Sequence, residues 1–241
     1  MRNITEQTIY RLLNTLYKLD VPIAFKGDIV IQADLRKRWA RLYTEKNLIK
    51  VEADWYGSLH DIGNVPSIIQ KALYVVDTSL QVDIVSQDEG GHILSIANRE
   101  NEMRFTIDIR GSLNKEVAST STKDGKCRFI CRTPNTQLAE KISALSTDDG
   151  NTAEVLYDIY LMSLLTGYTV YGTRCEMEYF KVGEYNKLLN YKKQLILEYH
   201  KLDNIIGKPD FEEVYKKAIS FLDPFIYNTK SNYIWNGNMW I

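Results

Sequence analysis

The chain has 241 residues, of which 44% are hydrophobic and 25% are charged, and its 30 basic and 31 acidic side chains leave a formal net charge of -1. This length and composition are typical of a folded protein with a sizeable core, and they exclude a disordered chain. The near-neutral charge excludes a protein that captures nucleic acid through its overall electrostatic field. The sequence lacks an apolar run near the 18 residues of a membrane span and an apolar secretory core, so we expect no membrane association and no export. The three cysteines and three histidines lack the spacing of metal ligands. So few cysteines, in an odd number, favour a reducing cytoplasmic location.

The first half of the chain predicts helices and strands in alternation. Apolar residues at helical spacing predict a helix over 4–19, and the short apolar run from Val21 to Phe25 predicts a buried strand. A second helix with a strongly basic face is predicted over about 29–46. The later elements predicted in this half are a strand at 49–55, a helix at 66–73, and strands at 81–85, 92–96, 103–109 and 127–131.

From residue 134 onward the strand pattern largely stops and the apolar spacing becomes helical. The predicted helices span 136–146, 152–165, 181–202 and 210–222. Residues 111–126 hold almost no apolar side chains and predict a loop, whereas the aromatic tail from residue 228 is expected to pack on the rest of the chain or to meet a partner. We therefore predict an α+β fold, with a mixed β-sheet flanked by helices in residues 1–132 and an α-helical region in residues 133–241.

Two carboxylates alternate along the strand predicted at residues 49–55. Glu52 and Asp54 stand at positions i and i+2, so their side chains leave the same face of the strand. Carboxylate oxygens are hard ligands that suit Mg²⁺, and phosphates and water fill the remaining positions around such an ion. A third carboxylate from a neighbouring strand would complete a cage. Asp108, an acid between apolar residues, and Asp83 are the two candidates.

A lysine and a glycine follow the first predicted strand directly. Gly27 would let the backbone approach a phosphate closely, and the ammonium of Lys26 would neutralise the phosphate charge together with the amides of the next helix. The basic block at 34–50 lies beside the acidic strand, as in sites where carboxylates hold a cation and bases hold phosphates. The alternative interpretation is a solvated, charged helix that follows an ordinary turn.

Four motifs, taken in order and spacing, resemble a known protein family. They are Phe25-Lys26-Gly27-Asp28, Glu52-Ala53-Asp54, the segment 140–145 (EKISAL) and the segment 155–160 (VLYDIY). Together they are similar to the AbiEii-type nucleotidyltransferase toxins of bacterial abortive-infection and toxin–antitoxin systems, within the DNA polymerase β-like superfamily. The resemblance implies a nucleotidyltransferase-like domain in residues 1–132 and a helical domain in residues 133–241 that closes the nucleotide cleft.

The resemblance also implies a reaction. An NMP group would move from an NTP to an acceptor, which would be a tRNA end or a protein hydroxyl, and a cognate antitoxin would accompany the protein. Glu52 and Asp54 would hold Mg²⁺. Asp108, which its apolar surroundings rather than the resemblance single out, would be a further metal ligand, and it or a neighbour would deprotonate the acceptor.

The same resemblance implies the residues that bind the nucleotide. Lys26 and Gly27 would form the phosphate turn, with Asp28 beside them. Lys141 and Asp158 would face the nucleotide from two separate helices, although spacing alone does not bring these two residues together.

Several positions depart from the family pattern, and in chain order the marked ones are Asp28, Leu48, Lys50 and Val155. Glu52 in place of Asp is a conservative departure whose longer side chain shifts the metal. These departures support an alternative, in which the chain is a catalytically degenerate nucleotidyltransferase fold that acts by binding an antitoxin or RNA. A third hypothesis is a nuclease with an Asp…Glu-x-Lys motif. The sequence does not supply the lysine of that motif, because Tyr56 stands two residues after Asp54 and Arg110 stands two residues after Asp108.

Overall fold

A computed structural model of the chain describes residues 4–35, 49–99, 103–113, 116–146, 152–180, 183–202, 205, 207–229 and 232–241. These residues form two compact units. One contains the residues up to Asp34 and from 49 to Arg132, and the other contains Leu35 and the residues from Thr133 to Ile241. None of the described helices is both long enough and apolar enough to cross a membrane.

The first unit combines helices with a β-sheet. Its helices are α1 (Ile4–Lys18), α2 (Asp28–Asp34) and α3 (Val65–Val76), with a 3₁₀ turn at Leu59–Asn64 before α3. Its strands are β1 (Ile23–Lys26), β2 (Ile49–Trp55), β3 (Leu80–Asp88), β4 (Gly91–Asn98), β5 (Arg104–Gly111), β6 (Val117–Ser121) and β7 (Arg128–Arg132).

The sheet is mixed. Over the described part of the chain it has seven strands in the order β3-β4-β5-β2-β1-β7-β6. β2 runs parallel to β5 and antiparallel to β1, and β1 runs parallel to β7. The predicted fold class, a mixed sheet with flanking helices followed by a helical region, is therefore confirmed.

The hydrophobic core of the first unit lies on one face of this sheet. Alternate residues of β2 belong to the same buried cluster as apolar side chains of α1 and α3, and they are Ile49, Val51, Ala53 and Trp55. Burial of a large apolar side chain stabilises the fold by about 1.5–3 kcal/mol. A slip of β2 by one residue would turn its charged side chains into the core, so the core fixes the register that positions the opposite face.

Two predictions for this half need comment. The loop predicted over residues 111–126 was wrong, because β6 lies within that segment at one edge of the described sheet. β6 consists mostly of small and polar residues and pairs with β7, so backbone hydrogen bonds hold it without any alternating apolar pattern. Of the basic helix predicted over 29–46, α2 is described, and residues 36–46 lie outside the described part of the chain.

The second unit is mainly helical. Its helices are α4 (Pro134–Ser146), α5 (Thr152–Ser163), α6 (Val170–Met177), α7 (Asn186–Asn190), α8 (Lys192–His200) and α9 (Phe211–Ile226). The single helix predicted over 181–202 is instead α7 and α8, because Tyr191 leaves helical geometry between them. α6 was not predicted, since Gly172 and β-branched residues weaken its helical signal. The hydroxyl of Thr169 caps its first turn by accepting from the Gly172 amide at 3.1 Å.

The C-terminal residues pack against α9. The ring of Trp235 lies 4.8 Å from that of Phe221, and Trp240 stacks on Phe221 at 5.5 Å. The indole N–H of Trp235 donates to the carbonyl of Ser163 at 2.8 Å, so its one polar group is satisfied. Of the two alternatives predicted for the tail, packing against the rest of the chain is the one observed.

Replacing Trp235 by Ala is expected to lower the free energy of unfolding of the second unit by about 3–5 kcal/mol, because the indole is fully buried. The measurement is chemical denaturation followed by circular dichroism. Tyr179→Ala removes an aromatic side chain that is 75% exposed, and this control should change stability by less than about 0.5 kcal/mol. Equal losses in the two variants would contradict the proposed role of the tail.

Candidate functional site

The candidate site lies on the face of the sheet opposite the core, where β1, β2 and β5 are neighbours. The register pairs Lys26 with Glu52 across β1 and β2, and Glu52 with Asp108 across β2 and β5. Asp54 follows Glu52 by two residues and therefore leaves the same face of β2. The structure thus brings together these four residues, which are distant in the sequence.

Of the two candidates for a third carboxylate, Asp108 is the one beside the acidic pair. Asp83 lies on β3, and both β4 and β5 separate that strand from β2. At a spacing of about 4.8 Å between strands, β3 is roughly 14 Å from β2. One ion cannot bridge Asp83 and Glu52 over that distance.

Asp54 contacts two cationic side chains. Its Oδ2 accepts a hydrogen bond from Nε of Arg132 at 2.6 Å, and its Oδ1 lies 3.5 Å from Nζ of Lys26. The first contact is short and charge-assisted, whereas the second is at the long limit for a hydrogen bond. The two oxygens of this carboxylate are therefore held unequally.

Lys50 bridges the other two carboxylates. Its Nζ lies 3.1 Å from Oε1 of Glu52 and 3.5 Å from Oδ2 of Asp108. Partial burial alone would lower the pKa of the Lys50 ammonium, but attraction and hydrogen bonds from Glu52 and Asp108 together raise it above its ordinary value. Lys50 therefore stays charged at neutral pH and joins β2 to β5 electrostatically.

Arg110 holds Asp108 from the other side. Its Nε donates to Oδ1 of Asp108 at 2.8 Å, and its Nη1 donates to Oδ2 of Asp88 at 2.7 Å. These hydrogen bonds to Asp88 and Asp108 raise the pKa of the guanidinium above its ordinary value. Both oxygens of Asp108 thus have a cationic neighbour.

The oxygen donors of the site suit a divalent cation, but they do not form a closed cage. Among the residues for which positions are described, no group of three or more His, Cys, Asp or Glu side chains is arranged to hold a metal ion. Both oxygens of Asp108 are engaged, by Lys50 and Arg110, whereas Glu52 is half-exposed with Lys50 at its Oε1. Oδ1 of Asp54 has the long contact with Lys26. The donor chemistry therefore fits a cation held by Glu52 and Asp54, completed by oxygens from a ligand.

Gly27 makes the turn between β1 and α2, and Asp28 is the first residue of α2. The φ angle of Gly27 is +71°, a value that side chains with a Cβ atom rarely adopt. A Cβ at this position would lie 3.1 Å from Oε2 of Glu52. The backbone of the turn therefore closely approaches a carboxylate of the site.

Lys141 and Asp158 meet in the second unit. Lys141 is on α4 and Asp158 is on α5, and Nζ lies 2.7 Å from Oδ2. The Asp158 side chain is only 4% exposed, whereas that of Lys141 is 19% exposed. Asp158 is therefore placed to hold Lys141, and the lysine is the member of the pair that a ligand can reach.

Sequence reasoning assigned a role to Lys26 but missed the partners of the site's other basic residues. The sequence shows Arg110 and Arg132 as bases but not as partners of the carboxylates. It places Lys50 at the end of the basic block 34–50 and among the departures from the family pattern, without assigning its contacts. The contact of Arg132 with Asp54 depends on β7 lying beside β1. No local pattern predicts that pairing.

No protein-family model and no curated protein matches the chain. Solved structures do match it over most of its length. A candidate nucleotidyltransferase from Helicobacter pylori is 14% identical with a TM-score of 0.57, covering 93% of this chain and 94% of its own. JHP933, also from Helicobacter pylori, is 14% identical with a TM-score of 0.53, covering 93% and 91%.

MenT4, a nucleotidyltransferase toxin from Mycobacterium tuberculosis, is 8% identical with a TM-score of 0.57, covering 94% of this chain and 84% of its own. At such identities the similarity shows the fold alone. The chain therefore has the fold of these nucleotidyltransferases, and membership of the AbiEii-type family stays a prediction.

Replacing Gly27 by Ala is expected to cost about 1–2 kcal/mol of stability, because of the left-handed backbone, and to displace the Glu52 carboxylate. Gly125→Ala is the matched control, since Gly125 has a φ of +69° and a Cβ added there would meet no described atom within 4 Å. Thermal unfolding should show similar losses in the two variants. Only Gly27→Ala should shift the ¹³C resonance of the Glu52 carboxylate, and a shift in both or in neither would contradict the close approach.

Replacing Lys141 by Met is expected to lower the free energy of unfolding by about 3 kcal/mol, because it removes the ammonium beside a buried carboxylate. Lys192→Met is the control. Lys192 pairs with Glu212 at 2.8 Å, but that pair is exposed and should contribute less than about 1 kcal/mol. Denaturant titrations of both variants provide the comparison, and equal losses would show that burial of Asp158 has no energetic consequence.

Proposed function

We propose, from the fold that the chain shares with nucleotidyltransferases, that it transfers an NMP group from an NTP to an acceptor. The observation that carries the proposal is the charged cluster on β1, β2 and β5, in which Lys26, Glu52, Asp54 and Asp108 converge beside the turn at Gly27. Carboxylates for a cation and bases for phosphates on one sheet face suit phosphoryl chemistry.

In this proposal Glu52 and Asp54 would hold Mg²⁺, which when bound would neutralise charge on the phosphates. Lys26 donates to a phosphate oxygen, and Gly27 leaves room for the phosphate to approach the backbone. The acceptor oxygen forms a bond to the α-phosphorus as pyrophosphate leaves, and Asp108 takes the acceptor's proton at Oδ2, whose contact with the exposed Lys50 is long at 3.5 Å. Such a displacement depends on positioning and charge neutralisation, which a rigid sheet supplies.

Lys141 has a proposed part as a phosphate-binding lysine of the second unit. Its ammonium is partly exposed, and the buried carboxylate of Asp158 restrains it at 2.7 Å. An ion pair of this kind reduces the conformational freedom that a long side chain loses on binding a ligand. Asp158 would then act through Lys141 rather than on the nucleotide.

The biological setting is also part of the proposal. We infer a toxin of the abortive-infection or toxin–antitoxin type, with a tRNA end or a protein hydroxyl as acceptor and a cognate antitoxin as partner, acting in the cytoplasm. The support is the motif resemblance together with the fold shared with MenT4, which is a nucleotidyltransferase toxin.

A second candidate function is a degenerate transferase that binds an antitoxin or RNA without catalysis. The ion pairs favour it, because Arg132, Lys50 and Arg110 already neutralise Asp54, Glu52 and Asp108 from within the protein. In such a protein these charges would serve the fold of the sheet rather than a nucleotide. The two candidates differ in whether Asp54 is needed for activity or only for structure.

The test is incubation of the purified chain with labelled NTPs, Mg²⁺ and either total tRNA or a cell lysate. We expect label to appear in an acceptor, and Asp54→Asn to reduce this transfer by about 10²-fold or more. Asp83→Asn is the matched control, since it makes the same change on the same sheet, on a strand remote from β2. Its transfer should stay within about twofold of the wild type.

The outcomes separate the two candidates. If the Asp54→Asn variant folds and still transfers nucleotide like the wild type, the catalytic role assigned to Asp54 is wrong. If the wild type labels nothing and nucleotide leaves its melting temperature unchanged, the transferase hypothesis fails. Growth inhibition lost in Asp54→Ala, with partner affinity retained, would indicate catalysis rather than binding as the toxic activity.

A further inference from the structure

Arg132 is anchored inside the first unit. It is the last residue of β7, and its side chain is 1% exposed. Nε donates to Oδ2 of Asp54 at 2.6 Å, and Nη1 donates to the carbonyl oxygen of Glu116 at 3.1 Å. Because both acceptors belong to the protein and the charge is buried, the guanidinium cannot turn away from Asp54 without a large desolvation cost.

Lys26 contacts the same carboxylate differently. Its Nζ lies 3.5 Å from Oδ1, and its side chain is 19% exposed on a flexible stem. An ammonium at this distance can move aside or exchange its partner for a ligand oxygen, whereas the buried guanidinium holds Oδ2 through a short hydrogen bond from Nε. Oδ2 of Asp54 is therefore held by a buried partner, whereas Oδ1 has a partner that a ligand can replace.

We propose that Arg132 is a positioning residue that binds Oδ2 of Asp54 and so presents Oδ1 alone to the cation. This inference rests on the proposed function, because it assigns how Asp54 meets the cation and its nucleotide. Hydrogen-bond partners behind a metal ligand set its orientation and tune its affinity. Here the partner is also a cation, so it opposes the binding of another one nearby.

A consequence concerns the order of binding. Asp54 and Glu52 together carry two negative charges, and three cations of the protein, Arg132, Lys26 and Lys50, already offset them at close range. The divalent cation therefore binds weakly to the protein alone and more tightly when triphosphate oxygens add their charge. Cation and nucleotide bind as a pair.

The experiment measures Mn²⁺ binding by electron paramagnetic resonance, with the purified full chain and no nucleotide. Arg132→Gln is expected to tighten Mn²⁺ binding about tenfold or more, since the opposing charge is gone and both oxygens of Asp54 become available. Nucleotide transfer should fall about 10- to 100-fold in the same variant, because Asp54 loses its orientation. A residue that only supports the fold would not move the two readouts in opposite directions.

Two further variants make the result specific. In Arg132→Gln combined with Asp54→Asn, the gain in Mn²⁺ affinity should disappear. Arg128→Gln is the matched control, because Arg128 lies on the same strand and is exposed, with its guanidinium bonded to Ser119 at 2.9 Å. It should change neither Mn²⁺ binding nor transfer by more than about twofold.

Unchanged or weaker Mn²⁺ binding in folded Arg132→Gln overturns the proposal. Should that variant not fold, Arg132→Lys is the alternative, because lysine keeps the positive charge but lacks the planar guanidinium with its several donors. Its Mn²⁺ affinity should stay within about twofold of the wild type, while its nucleotide transfer should fall. If Arg132→Lys transfers nucleotide at the rate of the wild type, the positioning role of Arg132 is overturned. If the wild type transfers no nucleotide, but Arg132→Gln still tightens Mn²⁺ binding in a way that requires Asp54, the proposed function is contradicted and the role of Arg132 is supported.

Discussion

The first unit depends on one constraint, the alternation of side chains along β2. Four residues of this strand are buried in the hydrophobic core, and the residues between them carry the charges of the candidate site. Because the period of a strand is two, the free energy that holds the apolar residues in place also fixes Lys50, Glu52 and Asp54 on the opposite face. β1 and β5 then align Lys26 and Asp108 with Glu52, so the precision of the site comes from the packing of the core.

The ion pairs on that face differ in how deeply they are buried. At one end the guanidinium of Arg132 binds Asp54 in a buried, short contact, and further along Lys50 and Arg110 bind Glu52 and Asp108 in more exposed ones. Buried pairs are costly to break and exposed pairs are easily exchanged for ligand or water. The face thus combines a rigid end with an adaptable one.

The sequence predicted local features of this arrangement better than distant ones. The bounds of β2 and the shared face of Glu52 and Asp54 follow from alternation alone, which acts over two residues. The choice between Asp108 and Asp83, the contact of Arg132 with Asp54 and the strand β6 all depend on the order of strands, which no local pattern contains. The pairing of Lys141 with Asp158 was implied only by family resemblance, because two separate helices carry them.

The strand order also has a kinetic consequence. Arg132 follows Asp54 by 78 residues, and it reaches the carboxylate once β7 has docked beside β1. Contacts between distant parts of a chain form slowly, because loop closure costs entropy before the contact compensates for it. A folding intermediate that contains β1, β2 and β5 but not β7 would hold a carboxylate without its guanidinium. The charged face is therefore complete only once β7 has paired with β1.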